Sequence, residues 1–141
     1  MKVVIPFLAL VFIKYCTGTP STKQEIPQYI RQSWLNKTRR YHTECVCKTG
    51  VDPLTAFDSI AITQLSNDFC LRCYLKCLDI KLMVLDPFTG TFVKEEFIQF
   101  AGVTSEIFDK CSGQTEQTKD LCAKSFYMYL CIVHSLMKPV E

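Results

Sequence analysis

The sequence predicts an all-α fold, a single domain of about six helices stapled by disulfides. Three observations carry this: an apolar leader in front of a cysteine-rich chain, apolar residues at helical spacing, and few of the glycine-turn pairs that hairpins need. The chain has 141 residues with 9 Cys, 5 Gly, 6 Pro and 2 His, a length that suits one domain and leaves no room for a two-lobed enzyme. Its 48% hydrophobic and 21% charged residues are the composition of a globular protein.

Residues 1–18 read as a signal peptide. Lys2 precedes the unbroken apolar run Val3 to Ile13, which fits a signal core and falls short of the roughly 20 residues needed to span a bilayer. Cys16-Thr17-Gly18 places small residues before a cut, so residues 19–141 form the expected mature domain, secreted and not membrane-anchored. Cys16 leaves with the leader, and eight cysteines remain for an oxidising compartment. The mature chain then holds 14 basic and 14 acidic residues once Lys2 and Lys14 are removed, which gives no electrostatic reason to expect nucleic acid.

Helical elements follow in order. Pro27 to about Val46 carries Ile30, Trp34, Tyr41 and Cys45 on one face. Gly50 marks its end. Asp52-Pro53 reads as an N-cap with proline at the first helical position, opening a short helix with Leu54, Phe57, Ile60 and Ala61. From Asp68 to Leu85, Leu71, Tyr74, Leu75, Leu78, Leu82 and Leu85 share an apolar face. Arg72, Lys76 and Asp79 fall on a polar face, and Cys70, Cys73 and Cys77 form a seam beside the leucines. Asp86 to Gly90 is a turn. Two short helices, Val93–Ala101 and Thr104–Cys111, flank Gly102, and Ser112-Gly113-Gln114 reads as a break. The last helix, about Thr118 to Met137, carries Phe126, Leu130, Val133 and Met137 on one stripe.

Cys70-Leu-Arg-Cys73 has the spacing of a redox or zinc pair, but no strand precedes it and no second close pair or histidine cluster completes it. Structural disulfides are the reading for an exported chain, and no motif calls for a metal or other cofactor. Eight cysteines permit 105 pairings, and the three on one helix face reach different segments.

The gaps of 27, 3, 33, 10 and 8 residues among Cys45, Cys73, Cys77, Cys111, Cys122 and Cys131, with the local words His42-Thr43-Glu44-Cys45, Cys73-Tyr74-Leu75-Lys76-Cys77 and Cys111-Ser112-Gly113, resemble the six-cysteine signature of the insect odorant-binding proteins, the pheromone and general odorant-binding family. The resemblance runs from Ile26 to Met137. It implies the bridges Cys45–Cys77, Cys73–Cys122 and Cys111–Cys131. Cys47 and Cys70 are extra to the signature, and a fourth bridge between them is the simplest expectation. Choosing Cys45 over Cys47 rests on Thr49-Gly50 alone, so exchange of those two stays open.

The resemblance further implies a helical shell around an apolar cavity, with small hydrophobic ligands (odorants, pheromones or similar molecules) carried to a membrane chemoreceptor by a monomer or weak homodimer. Micromolar affinity suits a carrier that also releases its cargo. The lining expected from the apolar stripes and turns is Phe57, Ile60, Leu78, Leu82, Phe88, Phe97, Phe126, Leu130, Val133 and Met137, with Tyr74, Tyr127 and Tyr129 as sources of a hydroxyl. His134 is the candidate for acid-linked release. Asn36-Lys37-Thr38 is a glycosylation sequon on the exposed side of the first helix. The sequence lacks GxSxG, HExxH and a His-Asp calcium dyad, so no hydrolase is expected. The alternative function is a secreted protein of saliva, venom or reproductive fluid that acts by binding another protein.

Overall fold

The computed structural model describes residues 24–139. The expected signal peptide and the cut near Thr19 lie outside them. Among the described residues there are seven α-helices: α1 (Gln28–Thr38), α2 (His42–Thr49), α3 (Pro53–Ala61), α4 (Phe69–Lys81), α5 (Lys94–Phe97), α6 (Ser105–Thr115) and α7 (Leu121–Leu136). Two short strands, β1 (Gln24–Glu25) and β2 (Lys138–Pro139), pair antiparallel and tie the two ends of this region together.

Side-chain caps set most helix starts. Asp52, Asp68, Thr104 and Asp120 each accept a hydrogen bond from a backbone N–H in the first turn of the helix that follows, which satisfies one of its orphan donors. Gly50 closes α2 in the left-handed conformation at φ 71°, where a side chain would be strained.

Several boundaries differ from the sequence expectation, and the helix expected over Val93–Ala101 is only the single turn Lys94–Phe97. The long first helix is two, α1 and α2, separated by a 3₁₀ turn at Arg39–Tyr41. Thr38 sits at that break with its hydroxyl donating back to the Leu35 carbonyl (3.3 Å), a bond that bends helices. Helix α4 ends at Lys81, before Leu85, because Met83 turns left-handed (φ 63°) and Val84 N–H closes onto the Asp79 carbonyl (3.0 Å). Leu85 then pairs with Phe92 across the Asp86–Gly90 turn. Conversely, Ser112-Gly113-Gln114 does not break α6, which runs to Thr115. A mid-helix glycine costs about 1 kcal/mol, and Cys111 and Thr115, both buried on this helix, anchor it.

The most extensive packing is between α4 and α7, followed by α6 with α7 and α2 with α4. Sulfur bridges fasten those same three pairs. Cys45–Cys77 joins α2 to α4 (Cα–Cα 5.6 Å), Cys73–Cys122 joins α4 to α7 (4.5 Å), and Cys111–Cys131 joins α6 to α7 (5.6 Å). With loops of 32, 49 and 20 residues, each stabilises by roughly 3–4 kcal/mol if it acts by restricting the unfolded chain. Gly102 allows one further close approach: a Cβ there would stand 2.9 Å from Ile30 Cδ1 and 3.2 Å from Leu136 Cδ1. The segment after α5 therefore packs against α1 and α7 only because that residue is glycine.

The fourth bridge is not formed. Cys47 and Cys70 are free thiols. At 100° per residue, Cys47 lies about 200° around α2 from Cys45, so with Cys45 bonded into α4 it points away from that helix, and it is exposed. Denaturation without reductant, alkylation and peptide mapping should therefore label Cys47 and Cys70 and leave the six bridged cysteines unlabelled. A Cys47–Cys70 linked peptide in place of both labels would contradict the arrangement.

Candidate functional site

A cavity walled mainly by buried apolar side chains lies where α1, α3, α4 and α7 converge under the α5 segment. Trp34 and Thr38 enter from α1, Ile60 from α3, and Leu75, Leu78 and Asp79 from α4. Leu82 and Val84 follow α4, Phe97, Phe100 and Val103 come from α5 and its continuation, and Tyr129 and Ile132 project from α7. The cavity offers about 60 Å³ in which a water-sized sphere can be centred. A single water needs roughly 10–15 Å³ on that measure, so the space in this conformation suits a very small guest. A larger one would displace the half-buried Leu82 or Phe100. The roomier depression beside α2 and α4, about 450 Å³, is a shallower competitor, with Lys48, Lys76 and Lys81 on its rim.

Of the expected lining residues, Ile60, Leu78, Leu82 and Phe97 meet in the cavity. The other six stand elsewhere. Phe88 is 97% exposed at the turn tip, while the end of that turn at Gly90 is held to α7 by Lys124. Phe57 is exposed on an outer groove beside Leu35, His42 and Tyr74. Phe126 is buried beneath the Arg72 guanidinium, 5.2 Å from its ring centroid, on another face of α7. Val133 is plain core, and Leu130 and Met137 are half-buried residues packed against that core. His134 is exposed and outside the lining. Tyr127 is exposed too, and Asn36 is exposed on α1, accepting from Gln32 Nε2 (3.2 Å).

The polar wall groups are mostly committed to the backbone. Trp34 Nε1 donates to the Ala101 carbonyl (2.9 Å) and Tyr129 Oη to the Ser59 carbonyl (2.7 Å). Behind the wall, Tyr74 Oη stands 2.9 Å from His42 Nδ1, and burial pushes the Tyr74 phenol up to about 12. Tyr129 is raised as well, first by burial and then by Tyr74 and Asp79 beside it.

Asp79 is the exception. It forms no salt bridge among the described residues, and removal from water pushes its carboxyl up to about 8 against the opposing influence of the Ser125 hydroxyl. Ser125 Oγ is itself fully buried without a well-formed hydrogen bond, so the two groups are neighbours at a separation or angle too poor to satisfy either. The sequence placed Asp79 on the outer face of its helix. It faces inward because α4 is covered on two sides by the helices bridged to it. The wheel held a signal: Asp79 stands only about 40° from Leu75, at the edge of the apolar arc.

Comparison with protein-family models matches the PBP/GOBP family over residues 28–135. Searches of curated proteins and of solved structures found no significant match.

The Asp79 environment has a consequence for stability. Its carboxyl is held near 8 in the fold and near the ordinary aspartate value of 3.8 when unfolded, so between those values the folded state binds more protons than the unfolded one. Stability then falls as pH rises through that window. Thermal melts between about pH 4 and about pH 8 should show a steeper decline in wild type than in Asp79→Asn. Parallel curves would contradict the assignment.

Proposed function

The chain belongs to the PBP/GOBP family, the insect odorant-binding proteins, and from that premise we propose that it is a secreted carrier which takes small apolar molecules into the cavity around Trp34 and Leu78 and delivers them to chemosensory receptors. The family consists of odorant- and pheromone-binding proteins rather than enzymes, and its members are secreted. No helix among the described residues is long and apolar enough to cross a membrane.

One observation carries the reading for this chain: an interior cavity with mainly aromatic and aliphatic walls, two of whose helices, α4 and α7, a bridge holds together. Transfer of apolar surface into such a space contributes roughly 25 cal/mol per Å², and three bridges offset the packing enthalpy that an unfilled interior gives up. Among the described residues no cluster of three or more His, Cys, Asp or Glu is placed to hold a metal, and the wall carries aliphatic and aromatic groups with one acid. Cys47, exposed on α2, is outside this site.

A fluorescent apolar probe should bind the folded protein with a micromolar Kd and be displaced by small volatile or lipid ligands. Leu82→Trp, at a half-buried wall position where a larger ring can be accommodated, should weaken probe binding by about tenfold or more without loss of the thermal transition. Failure of wild type to bind any probe, with recovery of a stable protein complex from secretions, would support the protein-binding function instead.

A further inference from the structure

The cavity is apolar except at one end, where Asp79 stands without a cation. No Lys, Arg or His lines it. The groups beside Asp79 on α7 are Ser125 and Tyr129, and Thr38 of α1 and Ile60 of α3 line the same cavity. On its own helix, Tyr74 is occupied with His42 (2.9 Å), Lys81 is drawn away to Glu44 (2.8 Å), Lys76 lies at the outer depression, and the Arg72 guanidinium sits over the Phe126 and Tyr127 rings. None brings a positive charge to Asp79.

Asp79 is half-buried, and drawing an acid out of water is costly unless something pairs with it. The protein's own donors do not. Trp34 and Tyr129 have given their N–H and O–H to carbonyls, the Thr38 hydroxyl donates to Leu35, and Ser125 Oγ is fully buried yet lacks a satisfied bond. The cavity that Asp79 lines is otherwise rich in aromatic rings: Trp34 and Tyr129, with centroids 5.9 Å apart, and Phe97 and Phe100, 6.3 Å apart, share its wall. An unpaired acid in a cavity that aromatic rings also line can hold an ammonium group, through a charge-assisted hydrogen bond and cation–π attraction.

We propose that the cavity is selective for small apolar amines, with Asp79 as the specificity-determining residue that receives the ammonium head and Ser125 as a second donor to the resulting carboxylate. This rests on the carrier reading above and names the ligand class of that same cavity. The proton accounting is simple. The ligand arrives as an ammonium ion, and the Asp79 carboxylic acid releases its proton to solvent. The ion pair Asp79–COO⁻···⁺H₃N–R then remains with no net charge in the cavity. An isosteric alcohol binds without that exchange. Below the carboxyl's own titration near 8, amine affinity therefore rises with pH by about tenfold per unit, one proton being released per ligand. It levels off above that point.

The test compares phenethylamine with 2-phenylethanol, which share one carbon skeleton, by calorimetry and by displacement of the apolar probe. The full secreted protein is used at about pH 6.5 and about pH 9, on either side of the Asp79 titration. At the higher pH the amine should bind roughly 10- to 100-fold tighter than the alcohol, the range of a hydrogen bond to a charged group. At the lower pH, titrations in buffers of different ionisation enthalpy should show close to one proton released per amine and none per alcohol. In Asp79→Asn the amine-to-alcohol preference should collapse to near one. Equal wild-type affinities for the two ligands, amine binding without proton release, or a preference that survives Asp79→Asn each overturn the inference. The wild-type proton count decides it even if the variant fails to fold. Absence of binding by probe, amine and alcohol alike would instead remove the carrier reading beneath it.

Discussion

Helix α4 is held from two sides by sulfur, and the rest of the architecture is arranged around that constraint. Cys77 fixes it to α2 and Cys73 to α7, while Cys111–Cys131 extends the brace to α6. A helix pinned at two of its turns cannot slide or rotate to fill the space beside it. Its apolar residues divide accordingly. Leu71 and Tyr74 are fully packed, and Leu75 and Leu78 are buried yet still reach the wall of an open space. In a chain of this size a core with a gap gives up packing that a small domain can ill spare. Covalent cross-links are a physical means of keeping the gap open, because they lower the entropy of the unfolded chain.

The same constraint explains the polar end of the cavity. Asp79 lies two residues beyond Cys77, so the Cys45–Cys77 bridge fixes its place on the helix. Ser125 and Tyr129 lie one turn apart on α7, beyond Cys122. The Cys73–Cys122 bridge thus brings the acid, the orphan hydroxyl and the phenol into one neighbourhood. A carboxyl with a raised affinity for its proton results from where the bridges put it.

The helices were legible in the sequence because their signals are local. Asp52-Pro53 and Gly50 announce caps, and the leucine stripe from Leu71 to Leu82 gives α4 its period. The misread boundaries have local competitors that a pattern does not weigh: the Thr38 back-bond, the left-handed Met83, and a glycine at 113 tolerated inside a well-anchored helix. The cavity was less legible. A stripe says which face is buried without saying whether it meets protein or empty space. Phe126 and Val133 satisfy the stripe and end in packed core, while Phe88 satisfies only hydrophobicity and ends in water. Trp34, Phe100 and Ile132 reach the wall through the crossing of three helices, which no one-dimensional period encodes. Asp79 is hardest of all, since a charge on a helix reads as solvent-facing until the neighbours that cover it are known.

Trp34 offers the most direct measurement. It is the chain's one tryptophan, and it is a buried member of the cavity wall, so its emission reports on that space alone. Titration with a small apolar ligand should change the intensity or wavelength of the Trp34 emission saturably, with the same midpoint that calorimetry gives for binding. A ligand that binds by calorimetry and leaves the tryptophan emission unmoved would place the cargo somewhere other than the interior and contradict the account.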